Sequence, residues 1–72
     1  MTILSLIQTN KFIQDIIIDN GQIKKIILTS DIFSAKKYSS LDTFTYNIML
    51  TTCIRKFVKR EFKDIIEFKE IL

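Results

Sequence analysis

Histidine, proline and tryptophan are absent from this 72-residue chain, and cysteine, glycine and alanine occur once each. Without histidine the chain lacks the commonest general base and the side chain that titrates near neutral pH, which removes most acid–base enzyme designs. A single cysteine forms no intramolecular disulfide, and one cysteine without histidine cannot build an ordinary structural zinc site. The only glycine, Gly21, sits in a turn sequence, so no glycine-rich loop is left to cradle a phosphate. The chain is therefore expected not to be an enzyme and to hold neither metal nor cofactor. Long apolar runs are also missing: the longest span three residues, as at Ile16 to Ile18 and Ile48 to Leu50. That is far short of the roughly 18 that mark a membrane span, so no membrane role is expected. The first eight residues have no basic lead-in and their apolar stretch is interrupted by Ser5, which argues against a secretory leader. The lone Cys53 agrees with a reducing, cytoplasmic setting.

What is present argues for a folded chain. Hydrophobic residues make up 47% and charged residues 26%, a balance that excludes intrinsic disorder. Residues 1–72 fit one small domain, and a domain of this size buries only about 60% of its unfolded surface. With no disulfide or metal to reinforce it, such a core gains from a partner chain. Fifteen isoleucines and nine lysines stand against the one alanine, a bias expected from AT-rich codons. Mobile elements and viruses are among the sources that share it.

The strongest local signal is a hairpin over residues 12–28. Phe12 to Ile18 and Gln22 to Leu28 are two β-branched runs around Asp19-Asn20-Gly21, and Asn-Gly tolerates the positive φ of tight hairpin turns. A three-residue loop would set Asp15 opposite Lys25 and Ile17 opposite Ile23, whereas a two- or four-residue loop would set Ile18 opposite Ile23. The first register is preferred because it pairs opposite charges. Residues 43–50 alternate, with Phe44, Tyr46, Ile48 and Leu50 on one side, and read as a strand. Residues 2–8 fit a strand or two helical turns, with the strand preferred. Residues 31–38 fit a helical turn or two bounded by loop.

From about residue 52 to 71 the pattern predicts a helix. At about 100° per residue, Ile54, Phe57, Val58, Phe62, Ile65, Phe68 and Leu72 share one arc. Continuing the arc backwards meets Thr51, Asn47 and Thr43, so a helix start is placed at Thr51 or Thr52. The expected fold is α+β, a small antiparallel sheet packed against this C-terminal helix.

Arg55, Lys56, Lys59, Arg60 and Lys63 form a basic stripe opposite that arc. Such a face suits an acidic partner or nucleic-acid phosphates, and a solvated helix face is the plain alternative. In a helix over 52–71 these cations would occupy the N-terminal half, against the macrodipole, which favours a functional role for them. Lys36-Lys37-Tyr38 could extend the patch. A net charge of only +3 is weak for a nucleic-acid domain. Asp64, Glu67 and Glu70 recur every three residues and read as a mixed-charge helix face. Ile66 and Ile71 fall outside or at the edge of the main arc, and with Leu72 they form an apolar surplus that marks an interface.

These features point to a small protein-interaction module that binds stoichiometrically and forms a homo-oligomer. It would suit a viral or mobile-element accessory protein that inhibits a host factor. The alternative is a nucleic-acid-binding regulator that uses the basic helix face.

Overall fold

The computed structural model describes residues 1–38 and 48–71. Strands β1(Thr2–Leu6), β2(Lys11–Asp19) and β3(Gln22–Thr29) are followed by a 3-10 turn at Ile32–Ser34, helix α1(Ile48–Phe62) and strand β4(Ile66–Glu70). The strands form one antiparallel sheet in the order β3-β2-β1-β4. Ile54 and Val58 of α1 close the core over one sheet face, against Leu4, Leu6, Ile13, Ile26 and Ile66. The small α+β fold, the hairpin and the N-terminal strand are as the sequence predicts.

The hairpin register differs from the preferred one. Asp19 opposes Gln22, so Asn20 and Gly21 alone form the loop, at φ 52° and 74°. Two positive-φ residues give a turn whose twist matches that of the flanking strands, and this outweighs one surface ion pair. Ile18 therefore opposes Ile23, while Asp15 opposes Ile27 and Ile17 opposes Lys25. Two bulges, between Ile13 and Asp15 in β2 and opposite Ile17–Ile18 in β3, each insert one extra residue. Each insertion offsets the two-residue alternation, so Ile13, Ile16 and Ile18 share the helix-facing side with Ile23, Ile26 and Leu28. A Cβ at Gly21 would meet no atom within 4 Å, so its cost lies in the backbone alone. Gly21→Val should thus lower stability by about 1–2 kcal/mol, read as a lower denaturant midpoint with unchanged slope.

β1 is buried along its whole length. Leu4 and Leu6 face the helix, whereas Ile3 and Ser5 lie on the opposite side and are equally buried. Beyond Ser5–Phe12 the pairing of β1 with β2 ends, and residues 36–38 take its place. Thr2 and Tyr38 exchange backbone hydrogen bonds of 2.7 and 2.8 Å, and Lys36 N–H donates to Ile13 C=O at 3.0 Å. The segment reaches this position through the 3-10 turn, which Asp31 caps by accepting from Phe33 N–H at 3.0 Å and Ser34 Oγ at 2.9 Å.

The C-terminal third needs the largest correction. The helix predicted over 52–71 ends at Phe62, and residues 66–70 are a strand. Lys63 takes φ 54°, the left-handed position that terminates helices. Asp64 then turns its carboxylate to neighbouring N–H groups, a local alternative to helical bonding. At the other end, Ile48 to Leu50 and both candidate caps, Thr51 and Thr52, lie inside the helix. The predicted strand over 43–50 is thus overturned at residues 48–50; its residues 43–47 lie outside the described residues. A short apolar–polar alternation cannot separate strand from helix by itself.

Candidate functional site

The side of α1 opposite Ile54 and Val58 carries the cations. Arg55, Lys56, Lys59 and Arg60 are all exposed there, as the stripe predicts, and Lys63 is exposed just past the helix end. The Arg55 guanidinium lies 5.8 Å from the Phe68 ring of β4, and that of Arg60 lies 5.4 Å from Phe57. Both distances suit a cation–π contact. Arg60 Nε also donates to Glu61 Oε1 at 3.2 Å. Lys56 and Lys59 make no ion pair among the described residues. With the helix ending at Phe62, Lys59 and Arg60 fall in its last turn, where the macrodipole favours cations. The expected conflict with the dipole therefore disappears, and part of the stripe has a structural reason.

Between this face and the hairpin tip runs a groove of about 370 Å³. Ile18, Ile23 and Phe57 supply its apolar wall, Lys56 and Arg60 its charged rim, and Gly21, Gln22 and Cys53 the remainder. Among the described residues no carboxylate lines it. The groove depends on the observed register, which sets Ile18 opposite Ile23 on the helix side, where a three-residue loop would set Ile17 there instead. Sequence reasoning found the two cations but missed the isoleucines, whose facing is set by the bulges.

The predicted apolar contact residues separate. Ile66 is only 2% exposed and belongs to the core, because strand alternation turns it towards α1. Its expected place at a partner surface is overturned. Ile71 is half-buried, and its N–H donates to Met1 C=O at 2.8 Å. Leu72 lies outside the described residues. Exposed apolar side chains occur instead at Phe33, 84% exposed, at Phe68, and at Ile7 and Ile65. The last two are cross-strand neighbours joined by Ile7 N–H donating to Ile65 C=O at 3.0 Å.

The acidic trio does not converge either. Glu67 and Glu70 point to opposite faces of β4, and Asp64 is 1% exposed. Gln8 N–H donates to Asp64 Oδ1 at 2.9 Å, and Thr9 donates to Oδ2 from its N–H at 2.7 Å and its hydroxyl at 2.5 Å. Ile65 N–H adds a 2.7 Å bond to Oδ1. Burial pushes this carboxyl up, but the four hydrogen bonds outweigh it and lower it from 3.8 to about 2. Asp64 is therefore a clamp joining the β1–β2 turn to the start of β4. Glu70 is also held below the ordinary carboxylate range, chiefly by the Thr2 hydroxyl donating to its Oε1.

Near the 3-10 turn, Lys36 Nζ lies 5.8 Å from the Tyr38 ring, and Lys37 Nζ donates to the carbonyls of Phe33 and Ala35 at 2.8 and 3.2 Å. Lys37 thus secures the turn. Among the described residues no three metal-donor side chains cluster, and no helix is long and apolar enough to cross a membrane. No family model, curated protein or solved structure matches the chain.

Proposed function

We propose that the chain is a protein-interaction module that acts stoichiometrically, seating an acidic, apolar segment of a larger protein in the groove between the hairpin tip and α1. The observation that carries this reading is the groove's composition: an apolar wall of Ile18, Ile23 and Phe57 beneath two cations, with no carboxylate among the described residues that line it. An aliphatic or aromatic anchor would displace water from the wall while neighbouring carboxylates meet Lys56 and Arg60. A chain with so little catalytic chemistry acts by occupying a surface, and the role that suits it is a viral or mobile-element accessory protein that blocks a host factor. The exposed thiol of Cys53 on the groove suits a reducing compartment such as the cytoplasm.

The second reading, a nucleic-acid regulator, rests on the four exposed cations Arg55, Lys56, Lys59 and Arg60. It is weaker because both arginines stack on the protein's own rings. One experiment separates the two readings. Peptides selected from a displayed library against the intact chain should combine acidic residues with an apolar anchor. Ile18→Lys, or Lys56→Glu with Arg60→Glu, should weaken them roughly tenfold or more. Binding of mixed-sequence DNA or RNA that weakens steeply with salt and survives Ile18→Lys would overturn the protein-binding reading.

A further inference from the structure

β4 is an edge strand whose outer side pairs with no strand among the described residues. Ile65 C=O accepts from Ile7 N–H, and Ile71 N–H donates to Met1 C=O, so the odd-numbered residues of this stretch turn their backbone groups towards β1. By alternation, Ile66, Phe68 and Glu70 turn three N–H donors and three carbonyl acceptors outward. An unpaired row of this kind is a template for another strand. The opposite edge is guarded: β3 carries a bulge at Lys24 beside the exposed Lys25. β4 has no bulge.

We propose that β4 pairs antiparallel with β4 of a second copy of this chain, about a two-fold axis through Phe68. The register follows from charge. Outward groups must meet outward groups, so the axis passes through a residue of β4. An axis through Glu67 sets that carboxylate against its own copy, and one through Lys69 does the same with two ammoniums. The axis through Phe68 places Glu67 opposite the partner's Lys69, and Lys69 opposite the partner's Glu67. These are non-hydrogen-bonded positions, where cross-strand side chains approach most closely. The same register satisfies all the outward groups of Ile66, Phe68 and Glu70 on both chains.

Two further observations agree. Glu67 and Lys69 are exposed and make no ion pair among the described residues. Phe68 is 44% exposed at the centre of the edge and would meet its counterpart across the axis. The product is a continuous eight-stranded sheet with both helices on one side, since a two-fold axis between antiparallel strands stands perpendicular to the sheet. This interface is separate from the groove and does not depend on what the groove binds.

Sedimentation of the intact chain at high micromolar concentration tests the proposal. The wild type should be a dimer. Glu67→Lys alone and Lys69→Glu alone should each weaken it roughly tenfold to a hundredfold, because each opposes like charges at two positions. An equimolar mixture of the two variants opposes only unlike charges and should dimerise again. A monomeric wild type, single variants that remain dimeric, or a mixture that stays monomeric would each overturn it. If a single variant loses its folded circular dichroism spectrum, the double exchange Glu67→Lys with Lys69→Glu decides, and it must dimerise like the wild type.

Discussion

Asp64→Ala should lower the thermal midpoint by roughly 10 °C or more, a large loss for a domain of this size. The substitution leaves the N–H groups of Gln8, Thr9 and Ile65 and the Thr9 hydroxyl without their acceptor, in a place where the carboxylate is almost fully enclosed. The effect should depend on pH with a definite sign. The folded carboxyl titrates at about 2, below its ordinary 3.8, so the folded state binds fewer protons there than the unfolded chain. Its contribution is complete above pH 4 and is lost as pH falls towards 2. Melts across that range should show wild-type stability dropping more steeply than that of Asp64→Asn. Glu70 is lowered in the same direction in both proteins, so the difference between them isolates Asp64. Parallel acid slopes would count against the clamp.

The second large effect contrasts adjacent isoleucines. Ile66→Ala should cost about 2–4 kcal/mol, since it removes a fully enclosed side chain from the cluster around Leu4, Leu6 and Val58. Ile65→Ala, at a position 56% exposed, should stay within about 0.5 kcal/mol. A chain of this length has only about 4–11 kcal/mol in total, so the first variant sits near the edge of folding. Chemical denaturation measures both. A helix through residue 65 would reverse the order, because Ile65 then lies on the apolar arc and Ile66 beside the basic stripe.

That reversal marks where local pattern fails. Residues 54–62 read correctly because Ile54, Phe57, Val58 and Phe62 recur at a spacing that only a helix turns to one side. The arc then ran on through Ile65 and Phe68 by coincidence, while Ile66 and Phe68 alternate with Glu67 and Lys69 as a strand requires. Both patterns are present in the same five residues, and periodicity does not choose between them. A carboxylate followed by an alternating run was the available signal for a stop at Lys63–Asp64. The candidate site was half legible for a similar reason. The exposure of Arg55, Lys56, Lys59 and Arg60 followed from the wheel, whereas the place of Ile18 and Ile23 beside them depends on bulges that shift each strand by one residue.

The sequence by itself determined that the chain reverses at Asn20-Gly21, though not the hairpin's register, together with the apolar face of α1 and the α+β class, because each rests on patterns or conformations within a few residues. The tertiary structure alone decided β4. β1 is enclosed on both faces and must satisfy its backbone groups on both sides, and β2 with residues 36–38 supplies only one of them. Residues 66–70 supply the other, five pairs long, from 60 to 68 positions away in the chain. The hydrogen bonds to β1 and the burial of Ile66 favour the strand over one more helical turn, and neither exists until β1 and α1 are in place.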